Sequence, residues 1–154
     1  MESFPLIING FTTKTSNTFE VRNPSTGEIV GLAPSATVDQ LDYAVKAAAE
    51  AFKGWSVTPD EERAGACHAI AEAIEKGAED MARLLTLEQG KPLNGLGSRF
   101  ELGGASAWAH YTADLALPVE VLQDDNEGRV EMHRKPIGVV GSITPWNWPV
   151  MIAV

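Results

Sequence analysis

The sequence predicts an α/β fold in which short antiparallel strands and several helices precede a β-hairpin and the first strand of a parallel sheet. Turn residues recur at short intervals in the first 35 residues, and capping signatures precede apolar residues spaced three or four apart. Near the end, the apolar segment GVVGSIT runs into the turn PWNWP. We therefore expect three parts: residues 1–117 with strands and helices, 118–135 as a hairpin, and 136–154 as a strand with its turn.

Composition and charge limit the classes of function. The chain has 154 residues, with 12 Lys and Arg against 21 Asp and Glu, a formal net charge of −9. This sign disfavours nucleic acid and anionic membrane surfaces as partners, because both require clustered cationic side chains. No apolar run reaches the length of a membrane span. The single cysteine, Cys67, cannot form an intrachain disulfide, and we expect a cytoplasmic location.

The first elements are predicted as a small antiparallel meander. Its strands PLII, TFEVR and EIVGLA are separated by Asn9-Gly10 and by Asn23-Pro24-Ser25-Thr26-Gly27. The first helix follows the capping box of Thr37 and Gln40. Its predicted apolar stripe consists of Val38, Leu41, Val45, Ala48, Phe52 and Trp55, with Gly54 as its stop.

Two further capping boxes predict the later helices. Thr58 and Glu61 form one box, with Pro59 at the first helical position, and Gly77 is expected to divide that apolar run into two helices. Gln89-Gly90-Lys91-Pro92 ends the run, with glycine as a left-handed cap. Ser98 and Glu101 form the other box. VEVLQ and RVEMHRK then form the hairpin, and GVVGSIT suits a parallel strand buried on both faces.

The turn after that strand is the candidate site. Ligands of open α/β sheets bind beyond the carboxyl ends of the strands, which here places backbone groups of Thr144 and Pro145 within reach of a ribose or a phosphate. The side-chain amide of Asn147 can donate to an oxygen that gains negative charge during a reaction. An alternative, which spacing alone favours, is that Asn147 caps the following helix while Trp146 and Trp148 fill the core.

Several segments resemble the aldehyde dehydrogenase family. KPIGVVGSITPWNWP closely resembles the segment that opens the nucleotide-binding domain of these enzymes, and LLTLEQGKPL resembles a second signature at the family's spacing. INGF and VRNPSTGEIVG match as well, so the resemblance runs from about Ile8 to the end. Trp148 stands where the family commonly has phenylalanine. The resemblance implies the amino-terminal part of an aldehyde dehydrogenase-like fold with a Rossmann-like cofactor sheet.

The resemblance also implies an NAD(P)-dependent oxidation of an aldehyde to a carboxylic acid. In this family a cysteine thiolate attacks the aldehyde, hydride passes to nicotinamide, and a glutamate activates the hydrolytic water. Asn147 matches the asparagine that stabilises the oxyanion. The residues that match the cofactor's ribose region are Ile143, Thr144, Pro145, Trp146 and Asn147. NAD and NADP both fit, because the discriminating residue follows a later strand.

Two more expectations come from the resemblance. The hairpin matches an arm through which subunits associate, which implies a homo-oligomer. A monovalent cation held partly by backbone carbonyls would lie near Val21, Arg22 and Glu88.

Other chemically active residues receive structural interpretations. Cys67 lies in an amphipathic helix and is read as a small buried hydrophobe, since the family's nucleophile and general base belong to motifs later than residue 154. The histidines, His68, His110 and His133, lack a metal-ligand spacing and are expected to be exposed or peripheral, with no transition-metal site. Gly138 and Gly141 do not complete GxGxxG and are read as allowing close backbone packing.

Two alternatives to the enzyme remain at this stage. The chain could be a truncated, non-catalytic oligomerisation or binding module, because the nucleophile is missing and the sheet is unfinished. It could also be an unrelated α/β ligand-binding domain that shares only the strand, turn and helix. Three signatures in family order favour the front portion of a larger enzyme.

Overall fold

The computed structural model describes residues 3–154. In this part of the chain the strands are β1 Leu6–Ile8, β2 Phe11–Thr13, β3 Asn17–Arg22, β4 Ile29–Ser35, β5 Glu120–Asp125 and β6 Gly128–Met132. The helices are α1 Val38–Trp55, α2 Asp60–Gln89, α3 Ser98–Ala113 and α4 Pro149–Ala153. The predicted mixture of helices and short antiparallel strands is confirmed.

The strands form three separate antiparallel pairs, β1 with β2, β3 with β4, and β5 with β6. The prediction of one continuous meander was therefore wrong, although the turns that separate its strands were placed correctly. Asn9 and Gly10 both have positive φ, 53° and 78°, as a two-residue hairpin loop of type I′ requires. The predicted hairpin within residues 118–135 is present as β5 and β6.

Helix α1 has the predicted capping box. Thr37 Oγ1 accepts from the Gln40 N–H at 3.2 Å, and Gln40 Oε1 accepts from the Thr37 N–H at 3.0 Å. The helix ends at Trp55, one residue beyond the predicted stop. None of its residues is buried, and Val38 on the apolar stripe is 75% exposed, so the described residues leave this stripe uncovered.

Helix α2 is one continuous helix of 30 residues, so the predicted break at Gly77 was wrong. A helical glycine costs only about 1 kcal/mol relative to alanine, and packing of α2 along α3 outweighs that cost. The glycine leaves room for Met81, whose Cε would lie 3.2 Å from an added Cβ. The predicted left-handed cap at Gly90 is confirmed by its φ of 72° and by its N–H, which donates to the Thr86 carbonyl at 2.8 Å.

The other two predicted capping boxes are absent from the structure. Pro59, expected at the first helical position, is itself the N-cap of α2, and the Thr58 hydroxyl donates to the Gly54 carbonyl of α1. Gly97 is the N-cap of α3, and the Ser98 hydroxyl pairs with the Thr86 hydroxyl at 2.8 Å. Both hydroxyls bind partners outside the first turn of the helix that they were predicted to cap, and a local motif does not indicate such partners.

The core lies between α2 and α3. Ala82, Leu85 and Leu102 form its buried cluster, and partly buried apolar side chains pack against them: Ile74, Ala78, Met81, Leu93 and Val150. Val150 belongs to α4, so the last helix docks on the same core. The residues before α4 are thereby tied to α3.

The predicted buried strand GVVGSIT forms no strand within residues 3–154, and Ile143 is 97% exposed. A parallel strand obtains its hydrogen bonds from neighbouring strands, and the described residues supply none beside this segment. Close packing at Gly138 and Gly141 was also wrong, because an added Cβ would meet nothing within 4 Å at either position. Gly138 instead has a φ of 111°, which favours glycine. No helix in the described part of the chain combines the length and the apolar character needed to cross a membrane.

Candidate active site

The turn PWNWP places Asn147 on the surface, immediately before α4. Pro149 occupies the first position of α4, and Trp148 is the N-cap of this helix, with a left-handed φ of 61° and no side-chain capping bond. The Asn147 side chain is exposed and makes no hydrogen bond to the described residues. Trp146 is 84% exposed. The alternative in which Asn147 caps the helix and both tryptophans fill the core is therefore wrong.

The amino end of α4 is capped by Glu101 from α3. Glu101 is 1% exposed, and its Oε1 accepts from the Val150 N–H at 2.8 Å and from the Met151 N–H at 3.4 Å. Its Oε2 accepts from Lys91 Nζ in a buried ion pair. A carboxylate at this position satisfies free N–H groups and complements the positive end of the helix dipole.

Glu101 was predicted only as part of a local capping box, and its actual contacts were missed. A signal was available in the sequence, because an ionisable residue directly precedes Leu102 on a helix otherwise rich in small and apolar residues. Such a residue is buried only when it is paired.

Two apolar contacts complete the docking of the turn on α3. The rings of Phe100 and Trp148 meet edge to face, with centroids 5.2 Å apart and an interplanar angle of 86°. Gly104 faces Met151 so closely that an added Cβ would lie 2.6 Å from the Met151 Sδ. Residues 100–104 of α3 thus hold the PWNWP turn and α4 through the Phe100 ring, the Glu101 carboxylate and the close packing that Gly104 permits.

The residues predicted to line the cofactor are adjacent in one loop. Ile143, Pro145, Trp146 and Asn147 are exposed, and Thr144 is half-buried. They form a strip on the surface that continues directly into α4.

A sequence model of the aldehyde dehydrogenase family matches residues 11–154. The chain belongs to the aldehyde dehydrogenase family. It is 39% identical to a probable aldehyde dehydrogenase from Pseudomonas sp. over 152 residues, which cover 98% of the chain and 30% of that relative. The chain thus spans about 30% of the length of the curated relatives it matches.

Solved structures of family members share the fold of this chain. A salicylaldehyde dehydrogenase from Pseudomonas putida G7, solved with salicylaldehyde, superposes with a TM-score of 0.90 at 27% identity, over 99% of this chain and 32% of that one. A betaine aldehyde dehydrogenase from Staphylococcus aureus, solved with NAD+, gives a TM-score of 0.87 at 29% identity, over 97% and 31% of the two chains. The aldehyde dehydrogenase-like fold expected from the sequence is confirmed.

The residues named for a monovalent cation are only partly brought together. Val21 and Glu88 line one pocket, whose other walls include Phe4, Leu32 and Leu84, and Arg22 is not among its lining residues. Burial raises the pKa of Glu88, the nearby charge of Glu101 raises it further, and Lys91 opposes both. Its setting is a mainly apolar pocket at the end of α2.

Two of the histidines, both partly exposed as expected for peripheral residues, contact each other, and this contact was not predicted. His68 Nδ1 on α2 lies 2.8 Å from His110 Nδ1 on α3. Their outer Nε2 atoms face carboxylates, Asp114 at 3.5 Å and Glu75 at 3.4 Å. The pKa of Glu75 is lowered, chiefly by the Ser106 hydroxyl that donates to it and then by His110. His133 lies on the surface beside Glu131, as expected.

Neither a metal site nor a reactive cysteine site is formed in the part of the chain that the structure describes. Among residues 3–154 no group of three or more His, Cys, Asp or Glu side chains is placed to hold a metal ion. Cys67 is half-buried rather than fully buried and lies beside Ala64 and Thr112 on the wall of a shallow pocket between α2 and α3.

Proposed function

We propose that this chain forms the amino-terminal part of an NAD(P)-dependent aldehyde dehydrogenase in which Asn147 stabilises the oxyanion. One observation carries the proposal. The Asn147 carboxamide is exposed and free of hydrogen bonds to the described residues, while Glu101 does the capping that would otherwise explain an asparagine here. An amide donor that makes no other hydrogen bond to the described residues, next to a helix start held by Glu101, is suited to bind a substrate oxygen that gains negative charge.

The chemistry divides between this chain and later family motifs. By family resemblance, a cysteine thiolate attacks the aldehyde carbon and a glutamate activates the water, and both belong to motifs beyond residue 154. NAD or NADP, when bound, would supply the hydride acceptor. The Asn147 side chain would donate an N–H to the former aldehyde oxygen as the carbon becomes tetrahedral, which lowers the energy of that state relative to the aldehyde.

The loop before Asn147 is proposed to carry the ribose end of the cofactor. Ile143 and Trp146 offer exposed apolar surface, and the backbone groups of Thr144 and Pro145 supply hydrogen-bonding groups next to it. The NAD+ complex of the betaine aldehyde dehydrogenase, which shares this fold, supports a nicotinamide cofactor. The backbone of Asn147 would form the last part of this surface beside the cofactor.

We test the role of Asn147 in a full-length enzyme that carries this segment. Asn147→Ala should lower turnover by about 100-fold or more, as expected when one oxyanion donor is removed, while cofactor affinity changes little. Asn17→Ala, which removes another exposed asparagine side chain in β3, serves as the matched control. Wild-type turnover of Asn147→Ala, under conditions in which chemistry limits the rate, would exclude Asn147 from the mechanism.

The hairpin is proposed to join subunits of the enzyme. Its two strands expose apolar side chains, among them Val121, Leu122 and Val130, which are available for contact with a second subunit. Deleting Asp124 to Gly128 should leave the candidate active-site residues intact and reduce the sedimentation coefficient. Unchanged assembly would refute this role for the hairpin.

A further inference from the structure

Glu101 carries an arrangement that the family resemblance did not assign. Its carboxylate is almost completely buried, yet every polar contact it makes leads to the beginning of α4 or to Lys91. Burying a carboxylate is costly unless it is paired and hydrogen-bonded, and here Oε2 is paired and Oε1 accepts two backbone N–H groups. The cost of burial is thus offset at the start of α4.

Helix α4 depends on such contacts because its own stability is small. It has five residues, too few for a helix to persist without tertiary support. Its N-cap, Trp148, has a left-handed φ of 61°, a conformation that bulky residues adopt only when their surroundings hold them in it. Asn147 directly precedes this strained residue, so its position follows that of the helix start.

We propose that Glu101 is a positioning residue for the active site: its carboxylate fixes the first N–H groups of α4 and thereby holds the Asn147 amide where the oxyanion forms. This inference rests on the proposed role of Asn147. Lys91 keeps the carboxylate charge paired, and the contact of Phe100 with Trp148 fixes the orientation of the turn from the other side. Glu101 acts on the position of Asn147 through the backbone at the start of α4, so no contact between the two side chains is needed.

Two substitutions separate the hydrogen-bonding role of Glu101 from simple packing. Glu101→Leu removes every acceptor from the amino end of α4, while Glu101→Gln keeps a side-chain carbonyl for the Val150 N–H at nearly the same size. Glu79→Gln is the control, because Glu79 on α2 likewise forms an ion pair, with Arg99 of α3, but does not contact α4.

We test the inference by steady-state kinetics of these variants in a full-length enzyme that carries this segment. Glu101→Leu should lower kcat by about 100-fold, the cost of misplacing a catalytic group by about 1 Å, with little change in the cofactor KM. Glu101→Gln should retain most of the turnover, and Glu79→Gln should retain all of it. If Glu101→Leu fails to fold, Glu101→Gln is compared with Asn147→Ala instead: turnover near that of the wild-type enzyme supports the hydrogen-bond mechanism, and a loss as large as that of Asn147→Ala overturns it.

A double variant shows whether Glu101 acts through Asn147. Effects of groups that act as one unit are not additive, so Glu101→Leu/Asn147→Ala should be no slower than Asn147→Ala alone. Losses that multiply in the double variant, or wild-type kcat in Glu101→Leu, would overturn the positioning role while leaving Asn147 in the mechanism. An Asn147→Ala enzyme with normal turnover would instead refute the proposed function itself. A Glu101→Gln enzyme as slow as Glu101→Leu would overturn the hydrogen-bond mechanism.

Discussion

Two adjacent glycines of α3 provide a paired test of how α4 is docked. An added Cβ at Gly104 would lie 2.6 Å from Met151 Sδ and 3.6 Å from its Cγ, whereas at Gly103 it would meet nothing within 4 Å. Both glycines are inside the helix, so alanine should gain about 1 kcal/mol of helix propensity at either position. The two substitutions therefore differ mainly in the contact with Met151.

The expected free energies of unfolding follow from these two effects. Gly103→Ala should stabilise the protein by about 1 kcal/mol. At Gly104 the same gain is opposed by overpacking, which costs about 1–3 kcal/mol, so the net change should be a loss of about 0–2 kcal/mol. The Sδ atom is one bond from the end of the Met151 side chain, so relief of the contact requires that side chain to change its rotamer or α4 to move.

Urea unfolding of the two variants measures this difference, and turnover in a full-length enzyme that carries this segment tests the consequence for the proposed site. Gly104→Ala should lower turnover because it shifts α4 and Asn147, while Gly103→Ala should not. Adding Met151→Ala to Gly104→Ala removes the obstructing side chain and should recover the propensity gain relative to Met151→Ala alone. Equal stabilisation by Gly103→Ala and Gly104→Ala would refute the close contact between α3 and α4.

Two further predictions concern the α2–α3 pair. The Arg99 guanidinium, assisted by Arg83, lowers the pKa of Glu79 from 4.5 to about 2, so the ion pair stabilises the fold above about pH 4.5 and this contribution is lost as the pH falls towards 2. The free energy of unfolding should therefore depend less on pH in this range for Glu79→Gln than for the unsubstituted protein, and an equal pH dependence would contradict the prediction. Leu102→Ala should lower the free energy of unfolding in urea by about 2–5 kcal/mol, because Leu102 is 1% exposed. Leu96→Ala, at a residue that is 79% exposed, should change it by less than about 0.5 kcal/mol, and similar losses for the two variants would place the core elsewhere.

Local sequence signals predicted those elements whose partners are close in the chain. The capping box of Thr37 and Gln40 and the left-handed cap at Gly90 depend on hydrogen bonds that span three or four residues, and both are present. The Ser98 and Glu101 box has the same local pattern, but its side chains bind Thr86, Lys91 and α4 instead. Partners 10 to 50 residues away decide these contacts, and no local window contains them.

The histidines show the same limit at the level of side chains. His68 and His110 are 42 residues apart and have no motif spacing, yet the crossing of α2 and α3 brings their Nδ1 atoms to hydrogen-bonding distance. The helical faces of both residues could be predicted from the sequence. The register between the two helices could not, because it results from small core residues such as Ala71 and Ala105 that allow close approach.

The strand predicted before PWNWP has no pairing in the described residues, so within this chain the position of the turn is set by α3 rather than by a sheet. Phe100, Glu101 and Gly104 lie within one turn and a half of that helix, and each contacts Trp148 or α4. Helix stability alone would not favour two of the three: Gly104 lowers helix propensity, and the carboxylate of the buried Glu101 is expensive to bury. Residues that break local rules and are compensated by tertiary contacts are expected at functional sites. The compensation here is directed at the helix start that follows Asn147, as the proposed positioning role of Glu101 requires.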